Sequence, residues 1–141
     1  MAGADKRGNV LEKKTIAAEE VQKHLTSAAL AADEKKAGDV TVLDLRGLAS
    51  FTDYFLICHG RSDRQNQAIA DQVVDRLRDV KLRPLSMEGY RLAEWILIDY
   101  GDFVVHVFSE SRRVFYGLER LWSDAPVITP PLSGESGEEA S

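Results

Sequence analysis

The chain has 141 residues, of which 44% are apolar and 29% charged, enough for one ordinary domain with a real core and no disulfide or metal staple. Eighteen lysines and arginines against 23 aspartates and glutamates leave a net charge of −5, which disfavours a general polyanion binder. The lone cysteine, Cys58, excludes an internal disulfide framework and a cysteine-rich zinc site.

Residues 1–14 are polar and without period, and read as a flexible arm. A helix is predicted over about 16–36, where Val21, Leu25, Ala28 and Ala32 make one apolar stripe, with Thr15 as N-cap and Gly38 as its stop. Strands follow at Val40 to Leu45 and at Tyr54 to His59, the second apolar enough for burial on both faces. After Gly60, Ser62 and Gln65 form a capping box for a helix carrying Ile69, Val73, Leu77 and Val80. Pro84 to Met87 reads as a short edge strand. Glu94 to Asp99 and Phe103 to Phe108 form a hairpin about Tyr100-Gly101-Asp102. Alternation places Trp95, Leu97 and Asp99 on one face and Ile96, Ile98 and Tyr100 on the other, with Val104, His106 and Phe108 sharing a face of the partner strand. Val114, Leu118 and Leu121 mark a closing helix ending near Trp122. From 125 onward the chain reads as a disordered acidic tail, rich in Pro, Gly, Ser and Glu. The order αββαβββα predicts an α/β fold, a mixed sheet flanked by helices, in one domain over 15–124.

The search for chemistry returns little. No Gly-x-Ser-x-Gly elbow occurs, and Cys58 and His59 point to opposite sides of their strand, so they cannot form a nucleophile–base pair. His24, His59 and His106 lack metal-ligand spacing; His106 is expected to face a carboxylate across the hairpin. Gly60-Arg61-Ser62-Asp63, a strand running into a glycine turn and a helix N-terminus, could attract a phosphate. The paired carboxylates that would hold a divalent metal for phosphoryl transfer are missing, and a turn plus a cap accounts for the segment. Neither a metal nor a cofactor is expected. The longest apolar run, Trp95-Ile96-Leu97-Ile98, is far too short to cross a membrane, no signal peptide is evident, and the free cysteine fits a cytoplasmic setting. Charge is uneven: residues 84–110 hold five acidic groups (Glu88, Glu94, Asp99, Asp102 and Glu110) against Arg91 alone. These are solvated turn residues or a docking surface for a basic partner.

Four blocks, in order over about residues 18–124, carry a family resemblance. They are Asp44-Leu45-Arg46 through Thr52-Asp53-Tyr54-Phe55; Gly60-Arg61-Ser62-Asp63-Arg64-Gln65 with Ala68-Ile69-Ala70; Glu88-Gly89 with Glu94-Trp95 through Asp99-Tyr100-Gly101-Asp102; and Val105-His106-Val107-Phe108 through Tyr116 to Trp122. Together they resemble the ribosomal silencing factor, or Iojap, family. The resemblance implies a nucleotidyltransferase-like fold without the catalytic carboxylates, and a homodimer when free. It also implies a non-enzymatic protein that binds the large ribosomal subunit through ribosomal protein L-fourteen and blocks small-subunit joining, damping translation when nutrients are scarce. The partner-binding residues it suggests are Glu88, Asp99 and Asp102 as an acidic rim, with Trp95, Leu97 and Tyr100 as apolar anchors. Arg61, Arg64 and Arg120 are secondary contacts to ribosomal RNA or to the protein partner. Trp95 is either exposed or core, and Leu118, Leu121 and Trp122 are either core or dimer surface. Two other functions stay open: a large-subunit assembly factor using the same surface, and a nucleotide-binding nucleotidyltransferase-like enzyme.

Overall fold

Helix α1 spans Ala2–Glu34 in the computed structural model, which describes residues 2–130 and 132, with side chains from residue 18 onward. It is longer than predicted. Residues 2–14, read as an arm, carry helical backbone, and Thr15 lies inside the helix instead of capping it. The segment lacks an apolar period but holds good helix formers (Ala2, Leu11, Glu12, Lys13, Lys14) and no proline. The helix closes before Gly38. Lys36 takes the left-handed conformation (φ 62°), and the Ala37 amide donates to the Ala32 carbonyl at 3.1 Å, the long bond of a Schellman closure.

Gly38 instead opens β1, Gly38–Asp44; a Cβ there would collide with the His59 ring. The other strands are β2 (Tyr54–Gly60), β3 (Ser86–Glu88), β4 (Trp95–Asp99), β5 (Phe103–Ser109) and β6 (Val127–Ile128). They form one mixed sheet in the order β3-β4-β5-β2-β1-β6. Only β2 and β5 run parallel; the other neighbours are antiparallel. Strand β6 pairs Val127 with Leu43 and Ile128 with Val42. The sheet therefore extends past the expected boundary at 124, through a segment too short for a period-2 pattern to show. The part of the predicted tail at 131 and 133–141 lies outside the described residues.

Helix α2, Asp63–Asp79, returns beside α1 on one face of the sheet. Leu25, Ala28, Ala29 and Ala32 of α1 meet Ile69, Ala70, Val73 and Leu77 of α2 over Val42, Leu56, Cys58, Ile96, Ile98, Val105 and Val107. The run of alanines lets α1 lie close. The opposite face buries Leu43, Leu45, Phe55, Ile57, Val104 and Phe108, with Trp95, Leu97, Leu118 and Trp122 half-buried at its margin. Its cover is slight: α3 (Glu110–Tyr116) and α4 (Leu118–Leu121).

These two helices replace the single closing helix predicted. The break is Gly117, left-handed at φ 55°, where a Cβ would press on the Arg120 guanidinium. It moves the expected stripe off the core: Val114 and Leu121 are each 71% exposed, and the residue that α3 buries is Arg113.

Candidate partner-binding face

Strand β4 divides its side chains as alternation requires. Ile96 and Ile98 are fully buried under the helices, and Trp95 and Leu97 emerge on the thinly covered face. The Trp95 ring packs against Phe108, directly across the ladder (centroids 4.9 Å apart), and against Tyr116 at the end of α3 (4.5 Å). Its Nε1–H donates to His106 Nδ1 at 3.1 Å. Beside it stand Leu92 (73% exposed) and Tyr116 (42%), and Phe115 (69%) packs edge-on against Tyr116 at 5.1 Å. Gly89, Leu92, Glu94, Trp95, Arg112 and Tyr116 line a small hollow of about 140 Å³. A Glu94–Arg112 ion pair at 3.4 Å edges it.

The 89–94 loop that carries Leu92 is fixed from α2. Asn66 Nδ2 donates to the Ala93 carbonyl at 2.8 Å, Gln67 Nε2 to the Tyr90 carbonyl at 2.9 Å, and the Tyr90 hydroxyl to Asp71 at 3.0 Å. Gly89 (φ 80°) has no room for a side chain, because a Cβ would run into the Trp95 carbonyl. A large exposed apolar cluster with a polar edge, mounted on a strand and a braced loop, has the anatomy of a protein interface.

The predicted site residues fall as follows. Trp95 and Leu97 share this face, and Glu88, exposed on β3, sits in register with Leu97. Asp99 stands at the far end of β4, about 13 Å along the strand from Trp95. There its carboxylate accepts the Gly101 amide at 2.8 Å, and Asp102 is exposed in the turn beyond. Tyr100 is corrected. It is 6% exposed, belongs to the helix-covered core and stacks on Phe103 at 4.9 Å, so it cannot serve as an anchor beside Trp95. Burial pushes its phenol up to about 12. The same alternation that exposes Trp95 and Leu97 turns Tyr100 inward. Arg61 and Arg64 are exposed at the head of α2 and Arg120 is exposed in α4, on separate elements. Leu92, Phe115 and Tyr116 were missed as site residues. The adjacent aromatics Phe115-Tyr116 before Gly117 were the available signal.

His106 also departs from expectation. Its partner across the hairpin is the Trp95 indole, not a carboxylate, and it packs edge-on against Phe55 at 4.4 Å. Burial pushes its imidazole down to about 3. At the Gly60–Ser62 turn, Ser62 Oγ accepts the Gln65 amide (3.0 Å), and Gln65 Oε1 accepts the Arg61 amide (2.7 Å). Ser62 is thus the N-cap expected, and only the return bond of the capping box differs, reaching the amide of Arg61 instead of that of Ser62. Among the described residues no group of three or more His, Cys, Asp or Glu could hold a metal ion, and no helix is long and apolar enough to cross a membrane.

Cys58 lies wholly buried in the helix-covered core, and burial pushes its thiol up to about 12. His59, next to it, faces Arg113 instead, with Arg113 Nη1 2.9 Å from His59 Nδ1. A soluble aromatic disulfide at mildly alkaline pH is expected to leave Cys58 unmodified in the native protein and to titrate one thiol in urea. Fast native labelling would contradict this burial.

Comparison with known proteins gives a consistent result. Residues 18–141 match the family described as ribosomal silencing factor during starvation. The ribosomal silencing factor RsfS of Bacillus subtilis is 48% identical over 103 residues, covering 73% of this chain and 87% of that protein. The RsfS of Halalkalibacterium halodurans is 45% identical over 107 residues, covering 76% and 92%. The chloroplastic protein Iojap of Zea mays is 35% identical over 106 residues, covering 75% of this chain and 46% of the plant protein. Among crystal structures, a Chromobacterium violaceum protein superposes with a TM-score of 0.71 at 33% identity, over 72% of this chain and 85% of its own. A Bacillus halodurans protein does so with a TM-score of 0.68 at 42% identity, over 77% and 98%.

Proposed function

The chain belongs to the ribosomal silencing factor family, and from that premise we propose that it silences by docking the Trp95 face on the large ribosomal subunit and obstructing small-subunit joining. The observation that carries the reading is the apolar cluster of half-buried Trp95 and Leu97 with exposed Leu92, Phe115 and Tyr116, beside a strongly acidic stretch of chain. Its occupant is a basic protein surface, for which ribosomal protein L-fourteen is the candidate. The aromatic centre supplies affinity, and Glu88, Asp99 and Asp102 orient the approach. No bond changes. Inhibition depends only on occupancy, hence on affinity and concentration. The same apolar face is the natural surface for a homodimer of the free protein, which would make dimerisation and ribosome binding exclusive. Arg61, Arg64 and Arg120 remain secondary contacts.

The test is co-sedimentation with purified large subunits, with small subunits titrated in. The protein is expected to pellet with large subunits and to reduce joined ribosomes. Trp95→Ala is expected to weaken binding about thirtyfold, the scale of a central aromatic hot spot, while keeping its circular dichroism spectrum. Absence of binding at low salt overturns the ribosomal reading. Unchanged binding by Trp95→Ala with Leu97→Ala overturns the choice of face.

A further inference from the structure

We infer that His106 is the positioning residue of this face: it takes the indole N–H of Trp95 inward, so that Trp95 meets a partner with hydrocarbon alone. The inference rests on the docking reading above and deepens it.

His106 lies at the middle of β5, 3% exposed, directly opposite Leu97 in the ladder. Trp95 is its diagonal neighbour, within reach of a long aromatic side chain. The indole Nε1 stands 3.1 Å from His106 Nδ1. An imidazole that accepts at Nδ1 carries its proton on Nε2, and His106 Nε2 has no hydrogen-bond partner among the described residues. The ring around it is aromatic: Phe55 edge-on at 4.4 Å and Phe108 at 6.1 Å.

Packing alone does not call for a histidine here. The residues sharing its face of β5 are Val104 and Phe108, both apolar and buried. An imidazole in their company leaves a buried N–H unpaired, a standing cost that an apolar residue would avoid. What the histidine alone provides is an acceptor under Trp95. Trp95 is half-buried and sits between Phe108 and Tyr116. With its N–H bonded inward, the ring is fixed in one orientation before any partner arrives. A partner that covers it strips no water from an indole N–H, and affinity is gained by preorganisation. Burial also holds the imidazole neutral, so the acceptor persists across the neutral pH range.

The test uses the full chain with purified large subunits and two substitutions. His106→Leu removes the acceptor at similar volume. His106→Asn keeps an acceptor near the position of Nδ1. In the wild type and in His106→Asn, the Trp95 indole proton is expected to exchange slowly with solvent by NMR, and binding is expected to be retained. In His106→Leu the indole proton exchanges fast and binding weakens about tenfold, the scale of one lost orienting hydrogen bond. In a Trp95→Phe background, which has no indole N–H, His106→Leu is expected to cause no further loss. Additive losses, or wild-type binding by His106→Leu, overturn the positioning role. A wild-type protein that does not bind large subunits, with its indole proton still protected, overturns the docking reading instead.

Discussion

Replacing Arg113 with alanine is expected to lower the unfolding free energy by about 3 kcal/mol, as expected for breaking a buried, hydrogen-bonded ion pair. Arg113 is 6% exposed and joins three elements. Its Nε and Nη2 each reach Glu119 at 3.0 Å, across the Gly117 break, and so tie α3 to α4. Its Nη1 donates to the carbonyls of Asp39 at 2.8 Å and Gly38 at 3.3 Å, and its Nη2 to Thr41 Oγ1 at 3.3 Å, which fixes both helices to β1. Removal leaves these acceptors without their donor. Because the Glu119 side chain is 38% exposed, water recovers part of the loss, which holds the expected cost at the lower end of the usual 3–5 kcal/mol range. Arg113→Lys keeps the charge but not the fork, and should cost about half as much. Urea unfolding at constant slope reads both values. A loss under about 1 kcal/mol for Arg113→Ala would show that the network is dispensable. Because α3 carries Tyr116 onto Trp95, the same variant should also loosen the docking face.

The central architecture was legible because its signals are local and periodic. Trp95 to Ile98 is a short apolar run that leads into the Tyr100-Gly101-Asp102 turn, and the Ser62–Gln65 cap has a sequence signature. What was not legible depends on tertiary context. Arg113 at the heart of α3 reads as a surface residue, and only the convergence of Glu119, Thr41 and the Asp39 carbonyl makes burial tolerable. Val114 and Leu121 fit an apolar stripe until Gly117 breaks the helix and turns both outward. At the candidate site, alternation itself separates Trp95 and Leu97 from Tyr100, so grouping Tyr100 with them conflicted with the pattern. Leu92, Phe115 and Tyr116 come from two segments that meet only in the fold, and no spacing rule joins them.

Acidification should destabilise the protein well above the range in which its carboxylates titrate, and His106 should be a main cause. In the fold its imidazole is pushed down to about 3 by burial among Phe55, Trp95 and Phe108, none of which carries charge. In the unfolded chain it titrates near the ordinary value of about 6.5. Between those limits the unfolded state binds a proton that the folded state does not. Stability from this group is therefore complete above about pH 6.5 and falls as pH drops toward the folded value. Going from about pH 7 to about pH 5 should cost roughly 2 kcal/mol through His106. His59 is also lowered, by burial and then by Arg113, and adds a loss of the same sign from the same upper limit. Glu34 and Asp44 are lowered too, Glu34 by hydrogen bonds from Gln72 and Arg76 and Asp44 by its bond from Arg46. As carboxylates they give full stability above their ordinary values and lose it only at lower pH, so the interval above about pH 5 isolates the histidines. Urea midpoints across that interval should show His106→Leu with a shallower pH dependence than the wild type, retaining only what His59 contributes. Equal slopes for the two proteins would mean that His106 takes up its proton as readily in the fold as in the unfolded chain, and that its ring ceases to accept from Trp95 below about pH 6.5.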